Sequence, residues 1–121
     1  MKAFGGETID RMFCGLLAFG AVGHLAGTFL FSTFGTGLFV WSLSGVVAAA
    51  LLVALNVLRN ARPADRALAW VCLVGNAAWL LIALLFGQSI GNILDAWVLV
   101  HAAAAAGLLY FSVRGAVRAS A

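Results

Sequence analysis

The sequence predicts an all-α integral membrane protein with four transmembrane helices in an up-down-up-down bundle. Of its 121 residues, 64% are hydrophobic and only 9% are charged, and the apolar residues form four long segments. A bilayer core of about 30 Å needs about 20 apolar residues at about 1.5 Å of rise each. Because open sheet edges cannot face lipid, the segments are predicted to be helices. We expect one four-helix domain over residues 1–121, with spans at about 11–32, 38–58, 67–86 and 93–113.

The connections between the spans are short, so each helix is expected to run antiparallel to the next. Pro63 is expected to close off the second helix, and Asp65 lies near the start of the third, where the helix dipole favours a carboxylate. Asp95 is predicted to cap the fourth helix. The connections cover residues 33–37, 59–66 and 87–92.

The basic residues predict the orientation of the bundle. All seven flank the spans on one side, so both termini and the central connection are expected to be cytoplasmic, in the cytoplasmic (inner) membrane. The net charge of +3 is therefore attributed to topology and to anionic lipid, and no nucleic-acid partner is expected. The N-terminus lacks a small-residue cleavage site, so the first span is expected to be retained. The basic residues are Lys2, Arg11, Arg59, Arg62, Arg66, Arg114 and Arg118.

The two histidines are the strongest candidates for a site. His24 in the first span and His101 in the fourth each lie about 12 Å below the outer boundary. The first and fourth helices of an up-down bundle are neighbours. Gly20 and Gly27 share a stripe with His24, and Trp97 lies one turn before His101. These five residues form the predicted cofactor- or ligand-binding site.

Three interpretations of this site remain open. In the first, His24 and His101 are axial ligands of a b-type haem, and the small residues make room for the macrocycle, although no Arg or Lys lies near for the propionates. In the second, the histidines bond each other or neighbouring polar groups, and the glycines only let helices pack closely. In the third, they line a polar pathway or a proton- or metal-sensitive site, with a homodimer supplying four metal ligands.

The remaining polar and sulfur residues indicate no reaction. Cys14 and Cys72 form no CxxC motif and are expected to be reduced and packed as small apolar residues. Asn76 lies mid-span and must find a partner inside the bundle. Most other polar residues fall in the outer half, so any site is expected to open outward. The similar spacings of Cys14 to Cys72 and of Trp41 to Trp97 raise the hypothesis of a duplicated hairpin.

No nucleophile–base set, phosphate-binding loop or metalloprotease motif occurs in the sequence, which favours a protein that is not an enzyme. The favoured hypothesis is a small membrane protein that acts as an oligomeric unit or as a subunit of a larger membrane complex. It would carry a ligand site between the first and fourth helices. The alternatives are a haem b electron-transfer protein and a transporter or channel for protons or small solutes.

Overall fold

The computed structural model describes residues 5–118, which fold into four α-helices joined by short connections. All four are long and apolar enough to cross a membrane, which confirms the prediction of an all-helical chain with four candidate spans. Lys2, one of the basic flanking residues, lies outside the described residues. The helices are α1 (Gly6–Phe31), α2 (Gly37–Ala61), α3 (Arg66–Ser89) and α4 (Ala96–Arg118).

Side-chain caps fix where three of the helices begin. Thr36 before α2, Asp65 before α3 and Asp95 before α4 each accept a hydrogen bond from a backbone N–H two or three residues further on. These bonds satisfy N–H groups that have no partner within the helix. The Asp95 cap explains why α4 begins at Ala96 and not near residue 93. The predicted cap by Asp95 is therefore present.

The helices pack around an apolar core. α1 and α3 each contact both α2 and α4, and the α3–α4 contact is the most extensive while the α2–α3 contact is the least. The core comprises the buried side chains of Cys14, Leu17, Leu52, Ala104 and Leu108. Its residues come from α1, α2 and α4, and on each of these helices they lie between polar residues that are nearer the two ends.

The outward faces of the helices are apolar. Large hydrophobic side chains such as Leu30, Val47, Leu81 and Leu99 are exposed along the helices. Such an exterior is unsuited to water and suited to lipid, where all backbone polar groups must be bonded within the helix. Trp41 is 78% exposed near the start of α2, a position typical of the aromatic belt at a membrane interface.

Candidate functional site

The structure brings the two histidines together inside the bundle. The ring centroids of His24 on α1 and His101 on α4 are 6.3 Å apart, and their planes are nearly perpendicular at 89°. His101 is 8% exposed and His24 is half-buried. We call these rings and their hydrogen-bonding neighbours Thr28, Ser42 and Trp79 the histidine layer. Its residues come from all four helices.

A tryptophan fixes the tautomer of His101. The indole Nε1–H of Trp79 donates a hydrogen bond to Nδ1 of His101 at 3.2 Å. An indole nitrogen can only donate, so Nδ1 of His101 carries no proton. In the neutral ring the proton is therefore on Nε2. That side of the ring lies against the backbone of Gly20, where an added Cβ would be 3.0 Å from Nε2.

Two hydroxyl residues fix the hydrogen bonds of His24. Its Nε2 lies 3.1 Å from the carbonyl oxygen of Ser42 and 3.2 Å from the Ser42 hydroxyl. Because a carbonyl only accepts, Nε2 carries the proton and Nδ1 is the acceptor nitrogen. Thr28 donates its hydroxyl to the His24 carbonyl at 2.9 Å, so the 2.6 Å contact between Thr28 and Ser42 takes its hydrogen from Ser42. The hydrogen bonds of the layer thus have one consistent arrangement.

The small residues of α1 accommodate aromatic rings from α4. A Cβ at Gly20 would lie 2.9 Å from the ring of His101, and a Cβ at Gly23 would lie 2.3 Å from the ring of Trp97. A Cβ at Gly27 would meet no atom closer than 3.9 Å. Gly20 and Trp97 therefore lie at the site, as predicted, whereas Gly27 does not. Gly23 also lies at the site, although it was not among the predicted site residues.

This packing does not fit a haem. In the haem hypothesis, the macrocycle would lie against the small residues of α1. The rings of His101 and Trp97 cover that surface, because they pack on Gly20 and Gly23. Trp79 bonds one nitrogen of His101, and the other faces the α1 backbone. A haem between the histidines would need free space beside these glycines, and the two rings fill that space. The residues in this arrangement therefore do not fit a haem.

A metal ion has few ligands at this place. Within residues 5–118 no group of three or more His, Cys, Asp and Glu side chains is positioned to hold an ion. Closed zinc sites usually take four ligands. His101 is buried within its own bundle, so a second copy would have to open the bundle to add its histidines.

A second polar cluster lies nearer the other end of the bundle, and it includes Arg59, which was expected only to flank the spans. Arg59 on α2 bonds Asp10 on α1 at 2.7 Å, and both side chains are 7% exposed. The Arg59 guanidinium also donates to the Oδ1 atom of Asn56 at 3.3 Å. The sequence held a signal, since Asn56 and Arg59 are three residues apart and share a helix face.

Amide side chains carry this cluster across the bundle. Asn56 and Asn76 exchange two hydrogen bonds of 3.1 and 3.0 Å between α2 and α3, and Asn76 donates to the Ser112 hydroxyl of α4 at 3.1 Å. Asn76 thus has the partner that its mid-span position required. We call Asp10, Asn56, Arg59, Asn76 and Ser112 the amide layer. It too draws on all four helices.

A cavity of about 450 Å³ opens beside the amide layer, at the end of the bundle that holds most of the described arginines. Its wall includes Asp10 and Arg59 of that layer and residues from all four helices and from the α2–α3 connection. The lining residues are Gly6, Glu7, Asp10, Arg59, Asn60, Pro63, Ala69, Phe111, Arg114, Gly115 and Arg118.

The arrangement offers hydrogen bonding and proton exchange at two polar layers separated by an apolar core. No buried side-chain nitrogen or oxygen in residues 5–118 lacks a hydrogen-bond partner. The buried polar atoms of both layers therefore have partners within the bundle, which favours rigid and specific interhelical contacts. Comparison of the chain with protein-family models, with curated proteins and with solved structures finds no match.

Proposed function

We propose that this chain is a small, non-enzymatic membrane protein that works as an oligomeric unit or as a subunit of a larger membrane complex. It carries a small-ligand site between α1 and α4. The observation that carries the site is the meeting of His24 and His101 inside the bundle at 6.3 Å. Ionisable side chains are costly within a membrane and are functional candidates for that reason.

The proposed topology is an up-down-up-down bundle in the cytoplasmic membrane with both termini in the cytoplasm. Cross-helix contacts support the antiparallel order. Asp10 near the start of α1 meets Arg59 near the end of α2, and Thr28 near the end of α1 meets Ser42 near the start of α2. The arginine-rich end would then be cytoplasmic by the positive-inside rule. The histidine layer would lie in the outer half.

The chemistry of the histidine layer suits a ligand that donates a hydrogen bond. The tautomers leave Nδ1 of His24 as an acceptor that no hydrogen bond among residues 5–118 uses, whereas Nε2–H of His101 faces the backbone of Gly20. A hydroxyl group or a water can donate this hydrogen bond.

Self-association is supported by a groove between α1 and α2. Its volume is about 470 Å³. Small residues in such a groove allow the backbone of another helix to approach closely, which drives helix association in lipid. A second copy of this chain is the proposed occupant, since α2 has the smallest buried share of the four helices within one chain. The small residues of the groove are Gly15, Ala18 and Ala61, beside Val53 and Val57.

Histidine NMR tests the ligand site. The ¹⁵N signals of His24 and His101, assigned with the variants His24→Asn and His101→Asn, are followed in nanodiscs between about pH 5 and 8, where histidine titrates. If ligands and protons reach the layer, the histidine signals shift within this range. Two signals that do not respond over the whole range would make the layer a sealed structural contact and overturn the proposed site.

Native mass spectrometry from nanodiscs tests the oligomer. We expect two or more copies for the natural chain and a shift to one copy for Gly15→Leu, which fills the groove. The matched control Val22→Leu changes another exposed position of α1 that does not line the groove. A natural chain that is monomeric and retains no partner in mild detergent contradicts the proposal.

Proton or small-solute transport is the second candidate, and the two polar layers on either side of the apolar core favour it. A path would need protons to pass from His24 to Asp10 through the core at Leu17. Proteoliposomes loaded with a pH-sensitive dye measure the flux. We expect a flux that falls in His24→Ala and in Asp10→Asn, while a flux equal to that of protein-free liposomes rejects this candidate.

The haem hypothesis is tested by an oxidised-minus-reduced visible spectrum of the purified protein. Because the rings of His101 and Trp97 cover the glycines of α1, we expect no Soret band. A Soret band that disappears in both His24→Ala and His101→Ala would show that the bundle rearranges around a haem. In that case electron transfer would be the function, and the function proposed above would be wrong.

A further inference from the structure

The cavity at the arginine-rich end has the form of a binding site with a buried floor and an exposed rim. Asp10 and Arg59 form the floor, and both are buried. Glu7 and Arg118 lie at the rim and are exposed. The volume of about 450 Å³ falls within the range of about 300–1,000 Å³ that small-molecule sites occupy.

The charges around this cavity do not balance locally. Asp10 is paired with Arg59, and the exposed carboxylate of Glu7 is bonded to Arg11 at 2.6 Å. Arg114 and Arg118 take part in no ion pair among residues 5–118. Arg11 does not line the cavity, so the lining itself carries three arginines and two carboxylates, a net charge of +1.

Aromatic side chains hold one of these arginines in position. The guanidinium of Arg114 lies 5.6 Å from the ring centroid of Tyr110 and 6.0 Å from that of Phe111. Such cation–π contacts restrict the guanidinium while leaving its N–H groups available, so less conformational freedom is lost when a ligand binds.

The N-terminus of α1 adds further hydrogen-bond donors. Gly6 lines the cavity, and the N-cap residue Gly5 provides no side-chain hydrogen bond to the first turn. The backbone N–H groups at a helix start carry a partial positive charge and favour anions. Donors from the backbone of α1 and from the arginines of α4 therefore line the same cavity.

We propose that this cavity binds a phosphate group, held by Arg114 and Arg118 with Arg59 at its floor. The planar guanidinium donates two parallel N–H bonds to a pair of phosphate oxygens, and Arg is suited to phosphate for this reason. The cavity lies at the ends of apolar, membrane-length helices. The phosphate belongs either to the headgroup of an anionic lipid or to a free phosphate ion, and the experiment separates these two sources.

Native mass spectrometry of the full chain from nanodiscs with equal parts phosphatidylcholine and phosphatidylglycerol tests the lipid source. We expect the natural chain to retain phosphatidylglycerol preferentially. The double variant Arg114→Gln/Arg118→Gln should retain it roughly tenfold less or weaker still, since each lost charge-assisted bond is worth a factor of about ten or more. The matched control Arg62→Gln/Arg66→Gln removes the same charge from exposed residues that do not line the cavity.

Titration with inorganic phosphate in nanodiscs of phosphatidylcholine alone tests the free source, read by ³¹P line broadening. Broadening by the natural chain that is absent in the Arg114/Arg118 variant supports a free phosphate ligand. The variant Arg114→Lys/Arg118→Lys keeps the charge without the planar fork, and it should retain an intermediate amount of phosphatidylglycerol. It tests the proposal if the Gln variant does not fold. Equal losses in the cavity and control variants, or no loss and no broadening, overturn the proposal.

Discussion

Replacing Asp10 with alanine is expected to destabilise the folded bundle more than the removal of any exposed charge. The carboxylate of Asp10 and the guanidinium of Arg59 are 2.7 Å apart, and both side chains are 7% exposed. Removing one partner leaves the other charge buried without compensation, which costs about 3–5 kcal/mol in proteins. Arg59 keeps its bonds to Asn56 and lines a cavity that water can enter, so about 3 kcal/mol is expected.

A double-mutant cycle separates the ion pair from the other effects of truncation. Arg59→Met should cost a similar amount, because the Asp10 carboxylate then lacks its cation. The combined variant removes both charges and should lose much less than the sum of the two, with a coupling of about 2–3 kcal/mol. An apolar pair of similar volume is often as stable as a buried ion pair.

The assay is unfolding in mixed micelles of mild detergent and dodecyl sulfate, followed by tryptophan fluorescence. The control is the Glu7–Arg11 pair, which has a similar distance of 2.6 Å but is 67% and 68% exposed. Its removal should change the free energy of unfolding by about 0–1 kcal/mol. If Asp10→Ala and Glu7→Ala have the same effect, the assignment of a buried ion pair is refuted.

The same unfolding assay distinguishes two glycines of α1. Gly23→Ala should cost about 1–3 kcal/mol, because its Cβ would lie 2.3 Å from Trp97. Gly27→Ala should stabilise by about 0.5–1 kcal/mol, since it restores helix propensity and its Cβ would make only an ordinary contact of 3.9 Å with Phe31. Equal effects would contradict this packing. Trp79→Phe removes the hydrogen bond to His101 at a cost of about 1 kcal/mol. It should also shift the ¹⁵N signal of His101 Nδ1, and an unchanged signal would show that the bond is absent.

The helices and their beginnings were within reach of the sequence because local rules decide them. Segment length and apolar composition predicted four candidate spans, and the structure has four such helices. The caps by Asp65 and Asp95 follow from the chemistry of a carboxylate before a helix. The closeness of His24 and His101 also follows from simple geometry, since equal depth on neighbouring helices brings two side chains together.

The amide layer could not be predicted in this way, because the depth of a residue near a helix end does not determine which direction its side chain faces. Asp10 and Arg59 lie at span boundaries, where charged residues ordinarily meet water and headgroups, and Arg59 was predicted to flank the spans there. The structure turns them towards each other. The stripe of glycines was similarly ambiguous. Gly20, Gly23 and Gly27 all fit close helix packing, and only the positions of the α4 rings decide which two are needed.

The amide layer is expected to stabilise the bundle most at the contact between α2 and α3, where the helices contact each other least. The α2–α3 contact is the least extensive, yet it contains the two reciprocal bonds between Asn56 and Asn76. Asn76→Ala should therefore loosen α2 from α3 and raise amide exchange in the second half of α2. Ser112→Ala removes one bond on the α3–α4 side, where the contact is the most extensive, and should change exchange little. Each interhelical bond in lipid is worth only about 0.6 kcal/mol on average, so the expected contrast arises from the thinness of the α2–α3 contact and not from the bonds alone. Equal exchange in the two variants would mean that apolar packing, and not the amide pair, holds α2 in place.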